Sequence, residues 1–296
     1  MSHNQLTAIL DMVAQNPIPP NITPDELRAW IEAANSHTPV AENVEISRVS
    51  CGPVEGDLLI PPGGDASRLI IYYHGGGFLF GSSRTHRVTV SNLARAAGCA
   101  VWAPDYRLGP EHPAPAAHED AFGVYLWALT QGFAPGRIAL AGDSAGGNLA
   151  LHVAVRAKAQ GLPQPAALVL LSPWVDFAED GASYREVTDD PFITRDMLDA
   201  FKAAYLGEVD PKSPEVTPFY ADFAGLPPTL IHVGSWERLR DESVTLSERM
   251  TAAGVTVDLK IFEGMPHTWQ MFAPFLDEGM QSIEAGAAFI AARQRA

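Results

Sequence analysis

Ser144 stands within residues 137–150, RIALAGDSAGGNLA, where a G-x-S-x-G pattern separates an apolar run from small, helix-compatible residues. A strand over 138–141 that reverses into a helix beginning near Ala145 puts this hydroxyl at the apex of a turn too sharp for large side chains. Gly142 and Gly146 leave room for it. The N–H of Ala145 then lies at a helix N-terminus and points toward any oxyanion formed beside Ser144 Oγ. A serine hydroxyl is a poor nucleophile until a base takes its proton, so the same chemistry requires a histidine and a carboxylate to orient it. If the chain order is serine, acid, histidine, the base belongs on the loop after the last strand. His267 is there, following an apolar strand at 257–262 and the turn EGMP at 263–266. Among the nine histidines the others have structural readings. His3 and His37 fall in terminal or loop sequence, His86 and His118 on helix faces, His112 among prolines, His152 in a helix and His232 in a core strand, while His74 fixes a loop. The acid belongs after the strand at 229–234, where both Glu237 and Asp241 are placed to serve.

A second glycine loop precedes the serine. The apolar run at 69–73 leads directly into His74-Gly75-Gly76-Gly77-Phe78, and three successive glycines expose backbone N–H groups that suit an anion. No lysine follows, as a phosphate-binding loop would require. An acyl-transfer oxyanion needs donors from two loops, so this run and the serine turn together are more specific than either alone.

Holding these loops level takes a layered scaffold. LIIYYH, AVWAP, IALAG, AALVLLS, TLIHVG and VDLKIF are short apolar runs separated by helical sequence, the pattern of buried parallel strands. Residues 44–60 alternate and contain turn residues, which predicts antiparallel strands at a sheet edge. Before them lie two amphipathic helices with stripes Leu6, Ile9, Leu10, Val13 and Leu27, Trp30, Ile31, the second opened by a Thr23–Glu26 capping box and preceded by the hinge-like NPIPPN. Residues 176–212 interrupt the strand rhythm. The expected organisation is therefore N-terminal cap helices over 1–45 and a catalytic domain over 46–296 that carries a cap insertion at about 176–212. Phe78, Phe80, Trp174 and Phe177 near the strand ends are expected to limit the pocket beneath that roof.

Composition narrows the chemistry. At 296 residues and 47% hydrophobic the chain can bury a large core, and a formal charge of -15 opposes nucleic acid and anionic membranes. Cys51 and Cys99 sit outside any C-x-x-C spacing, so neither a disulfide framework nor a zinc site is indicated, and both read as buried apolar residues. The N-terminus lacks a secretory pattern and no apolar run reaches the roughly 18 residues a membrane span needs, which predicts a cytoplasmic protein.

With HGGGF at 74–78, DYRLGPEHPAPAA at 105–117 and GDSAGGNLA at 142–150, the chain resembles the hormone-sensitive-lipase-like branch of the α/β-hydrolases, the bacterial carboxylesterases. The resemblance extends through SPWVD at 172–176 to EGMPH at 263–267. It implies the α/β-hydrolase fold: a mostly parallel central sheet flanked by helices, with a helical cap. It assigns the oxyanion N–H groups to Gly76 and Gly77, with Ala145 as third donor. The family's acid opens a D-P-L-x-D motif, and aligning Leu239 and Asp241 with it puts Glu237 at the catalytic place, with Glu for Asp and Arg238 for Pro as departures. Position agrees, because Glu237 lies just past the strand end, whereas Asp241, about a turn later, suits a helix cap or a loop amide. The expectation is a serine carboxylesterase acting on small-molecule esters of short- to medium-chain acids through an acyl-enzyme, with Ser144, Glu237 and His267 as its triad. No cofactor or metal is implied, and a homodimer rests on the resemblance alone. Lactone, amide or carbohydrate-acetyl hydrolysis on the same residues is the alternative, or a binding protein that keeps the fold without the chemistry.

Overall fold

Side chains on a strand alternate between faces, and in this chain the alternation sorts the core into two layers. In the computed structural model, which describes residues 3–19, 22–36, 38–179 and 181–294, the apolar runs become strands of one sheet. These are β1 (Glu45–Cys51), β2 (Val54–Ile60), β3 (Asp65–Tyr73), β4 (Cys99–Asp105), β5 (Ile138–Asp143), β6 (Ala167–Leu171), β7 (Thr229–Gly234) and β8 (Val257–Phe262). Their spatial order is β1-β2-β4-β3-β5-β6-β7-β8, with β1, β2 and β4 paired antiparallel and the rest parallel. Ile71, Leu140, Leu168, Leu170 and Ile231 face one layer, and Ile70, Ala139, Ala141, Val169 and Leu230 face the other.

The helices are α1 (His3–Gln15), α2 (Pro24–Asn35), α3 (Arg87–Ala97), α4 (Ala116–Thr130), α5 (Ala145–Ala159), α6 (Ser183–Glu186), α7 (Arg195–Leu206), α8 (Arg240–Ala252) and α9 (Asp277–Ala291). Apolar residues of α4, α5, α7 and α8 fill the first layer, and those of α3 and α9 the second. Each sheet face is thus sealed by helices, as a parallel sheet requires.

Two strands differ from their sequence reading. Only β1 lies at the edge, because β2 pairs on its other side with β4 through Leu58↔Trp102 and Leu59↔Val101. At the opposite edge β8 is half-exposed rather than buried, its Asp258 and Lys260 having only β7 beside them. Cys99 is buried and Cys51 only half-buried, both as free thiols.

The N-terminal helices pack unequally. Leu6 and Ile9 of α1 bury against Phe262, Met265, Trp269 and Leu276, around the loop that carries His267. On α2 the expected stripe is only half-buried, and the helix is held by polar contacts: Arg28 Nε donates to Leu79 O at 2.8 Å and Nη2 to Gly109 O at 2.7 Å. Its N-terminus carries the capping box, Thr23 Oγ1 accepting from Glu26 N while Thr23 N donates to Glu26 Oε2. Pro20 and Asn21 of the expected hinge, His37 and the side chain of His3 lie outside the described residues. Among the described residues no helix is long and apolar enough to cross a membrane, and no group of three or more His, Cys, Asp or Glu is placed to hold a metal ion.

Register brings the functional loops together. Tyr73↔Gly142, Asp143↔Leu171, Leu171↔His232 and Gly234↔Phe262 set the C-terminal ends of β3, β5, β6, β7 and β8 side by side. The loops bearing Gly76, Ser144, Ser172, Glu237 and His267 therefore leave one edge of the sheet, where ligands of open α/β sheets bind.

Candidate active site

β5 ends at Asp143 and α5 begins at Ala145, so Ser144 alone makes the turn, with φ 51° and ψ −120°. A non-glycine residue at positive φ stores strain that its surroundings must hold. Those surroundings allow no side chain: a Cβ on Gly146 would lie 1.9 Å from Tyr73 O, and one on Gly142 2.3 Å from Gly146 O. The strand and the helix meet backbone to backbone, and the hydroxyl projects from between them.

His267 Nε2 lies 3.0 Å from Ser144 Oγ, and His267 Nδ1 lies 2.7 Å from Glu237 Oε2. The second oxygen, Glu237 Oε1, accepts from Ser172 Oγ at 2.8 Å and from the Gly234 N–H. An ionised Glu237 carboxylate can only accept, so with Ser172 and Gly234 donating to Oε1 the oxygen facing His267 requires Nδ1 to be the protonated nitrogen of the neutral imidazole. Nε2 is then a free lone pair facing the hydroxyl, the arrangement a general base needs. Burial pushes the His267 pKa down, but the hydrogen bond and charge of Glu237, helped by Asp190 and Asp143, outweigh it and hold the imidazole above its ordinary value. For the Glu237 carboxyl, burial wins over its bonds to His267, Gly234 and Ser172 and holds it above its ordinary value.

Asp241 stands apart from this line. Its Oδ2 accepts from Ser183 N at 2.8 Å and its Oδ1 from Arg240 Nε at 2.9 Å, so it ties the start of α6 to α8.

Gly76 and Gly77 adopt φ 115° and 58°, conformations glycine takes without strain. Among the described residues their N–H groups make no hydrogen bond, and the Ala145 N–H, at the first position of α5, has no intrahelical acceptor. The glycine loop is braced from both sides. Tyr106 Oη donates to His74 O at 2.7 Å, and Gly75 N donates to Asp143 Oδ1 at 3.1 Å. Asp143 also accepts from Tyr72 Oη at 2.7 Å and lies 3.4 Å from His86 Nε2. Burial pushes its carboxyl up, and His86 and Tyr72 outweigh burial to hold it below its ordinary value. His74 stacks on Tyr106, and burial with the neighbouring His86 lowers its pKa to about 4, so it is neutral.

Several contributors were not singled out from the sequence. Ser172 donates to the Glu237 carboxylate and also accepts from Thr268 N at 3.3 Å; its signal was a polar residue ending the run AALVLLS, beside the strand that precedes Glu237. Asp143 was visible only as the variable letter of the serine motif. His118 lies on a helix face as expected, the buried face of α4, where it bridges Tyr205 Oη of α7 at 2.8 Å and Asn148 Oδ1 of α5 at 3.0 Å. The aromatic expectation changes: Phe78, Trp174 and Phe177 are buried against one another, with ring centroids 4.8–6.3 Å apart. Only Phe80 remains half-buried, and it meets Phe201 of α7 edge-on at 5.6 Å.

Known proteins share this architecture. The family described as alpha/beta hydrolase fold matches residues 70–271, more than half of the chain. An acetyl-hydrolase of Streptomyces hygroscopicus is 42% identical over 236 residues, covering 78% of each chain. An esterase of Acinetobacter venetianus is 35% identical over 284 residues, covering 95% of this chain and 93% of its own. A crystal structure of an esterase from the bacterial hormone-sensitive lipase family superposes with a TM-score of 0.95 at 40% identity over 99% of both chains. On its fold, its loops and these likenesses, the chain belongs to the hormone-sensitive-lipase-like branch of the α/β-hydrolases.

Proposed function

We propose that the chain is a serine carboxylic ester hydrolase acting on short- to medium-chain acyl esters, with Ser144 as nucleophile, His267 as general base and acid, and Glu237 as the orienting carboxylate. One observation carries this reading: an unbroken hydrogen-bonded line from Glu237 through His267 to Ser144 Oγ, beside a glycine loop with unengaged N–H groups. Ser144 Oγ attacks the ester carbonyl as its proton passes to His267 Nε2, and the imidazolium is stabilised by Glu237, which itself stays ionised. The N–H groups of Gly76, Gly77 and Ala145 receive the tetrahedral oxyanion. His267 returns the proton to the leaving alcohol, then activates water to cleave the acyl-enzyme.

The acyl limit rests on α7. A Cβ on Gly77 would lie 2.4 Å from Phe201 Cδ2, so this ring seals the glycine loop on one side, and residues 1–45 with 176–212 form the proposed roof. The substrate is a small-molecule ester, the proposed compartment is the cytoplasm, and the proposed assembly is a homodimer. A series of nitrophenyl esters graded by acyl length tests the reading. It expects kcat/KM to rise by about 0.8 kcal/mol per buried methylene and then fall once the pocket ends. A rise continuing through long chains with activation at an oil–water interface would replace the fixed roof with an opening lid.

A further inference from the structure

Arg238 directly follows the proposed acid and is itself buried. Its Nε donates to Ile193 O at 3.1 Å and its Nη1 to Tyr184 O at 2.9 Å, while its backbone N–H donates to Asp190 Oδ2 at 3.2 Å. Its carbonyl accepts from Ser183 Oγ at 2.6 Å. Backbone and side chain of this one residue thus bind a single segment, residues 183–193, within the interruption between β6 and β7. That segment reaches the base as well. Asp190 Oδ1 accepts from Phe192 N and Ile193 N, and the Phe192 ring stacks 5.5 Å from Phe272, a few residues beyond His267.

The chemistry of the contact argues for placement over stability. Among the described residues the guanidinium makes no ion pair, and its side-chain acceptors are neutral peptide oxygens. A buried cation gains little net stability from such partners, and an apolar side chain of similar volume would avoid the desolvation cost. What the fork supplies is direction: two donors in a fixed plane meeting two carbonyls nine residues apart.

We propose that Arg238 is a positioning residue for Glu237: by clamping residues 183–193 against the turn that begins at Glu237, it holds the carboxylate in line with His267 Nδ1. The inference rests on the hydrolase reading above. Without the guanidinium the turn keeps its backbone bonds, among them Trp236 N to Met265 O, and Glu237 keeps Ser172 and Gly234 at one carboxylate oxygen, while the oxygen facing His267 loses its fixed direction.

The test compares the unmodified chain with Arg238→Met and Arg238→Lys, using a short nitrophenyl ester and the downfield proton NMR signal of the His267 Nδ1–H. Arg238→Met is expected to keep a native circular-dichroism spectrum and lose kcat by about 10- to 100-fold, the scale on which a small misplacement acts. KM should change little, and the downfield proton should shift or broaden. Arg238→Lys, which keeps the charge but not the fork, should fall between, and it carries the test if the Met variant does not fold. A folded variant with normal kcat and an unmoved downfield proton, or one altered in KM alone, overturns the inference. Ser144→Ala run alongside separates the two readings, since surviving hydrolysis there would sink the reaction assignment itself.

Discussion

Replacing Glu237 by glutamine exchanges one acceptor oxygen for an NH2 group at nearly constant shape, and the surrounding donors decide which way the amide turns. The Oε1 position receives two donors, Ser172 Oγ and the Gly234 N–H, whereas the Oε2 position receives only His267 Nδ1. Placing the NH2 beside Gly234 would set donor against donor in a fully buried site, at a cost of about 1–3 kcal/mol for the unpaired group. The amide oxygen therefore takes the Oε1 side and the NH2 faces His267. Nδ1 must then accept, which moves the imidazole proton to Nε2, where it meets Ser144 Oγ and blocks proton abstraction. By analogy with the serine-protease acid the loss is on the order of 10⁴ in kcat, or roughly 5.5 kcal/mol of barrier at about 1.4 kcal/mol per tenfold. Stability should hold, because burial already disfavours the Glu237 charge. The assay is kcat on a short nitrophenyl ester beside a thermal unfolding curve, with Asp241→Asn as the control. Asp241 bonds the Ser183 amide and Arg240, so its variant should lose about 1 kcal/mol of stability or less and keep most activity. A stable, inactive Asp241→Asn with a nearly normal Glu237→Gln would refute the assignment.

Because Glu237 and its neighbours hold the His267 pKa above its ordinary value, and the neutral imidazole is the base, kcat/KM should fall on acidification with a midpoint above about 6.5; a profile flat from about pH 5 to 9 contradicts a histidine base. Gly146→Ala would press a methyl onto Tyr73 O and His74 O, which are backbone and cannot swing away. It should cost about 3 kcal/mol or more in denaturant unfolding and abolish turnover, and a normal midpoint would show that the strand–helix contact is looser than described. Phe201→Ala removes the ring over Gly77 and should move the preferred acyl length upward by one or more methylenes in the nitrophenyl series, each worth about 0.8 kcal/mol. An unchanged optimum would place the limit elsewhere in the roof.

The sequence disclosed what local rules govern. Short apolar runs marked the strands, and a serine between glycines marked the turn from β5 to α5, because a backbone contact as close as Gly146 to Tyr73 tolerates only glycine. Chain order pointed to His267 and to the pair Glu237 and Asp241, whose loops the parallel sheet sets side by side at its C-terminal edge, whereas the preference for Glu237 came from the family motif and its place just past β7. Pairing and burial resisted the same treatment. The interior place of β2 depends on β4 some forty residues later, and β8 reads like an inner strand until its missing neighbour leaves one side exposed. Aromatic type did not reveal that Phe78, Trp174 and Phe177 pack into one another, since rings at strand ends serve equally as wall or as lining. Ser172, Asp143 and Arg238 act through partners 65, 68 and 45–55 positions away, separations that carry no periodic signal.

The nucleophile can be read directly. Treatment with an organophosphate that mimics the tetrahedral intermediate should abolish ester hydrolysis and add one phosphoryl mass, which peptide mapping should place on Ser144. In Ser144→Ala the adduct should be absent and turnover should fall by a factor on the order of 10⁶ with the fold intact. An adduct on any other residue, or hydrolysis persisting in a folded Ser144→Ala protein, would contradict the line from Glu237 through His267 to Ser144 as the catalytic machinery.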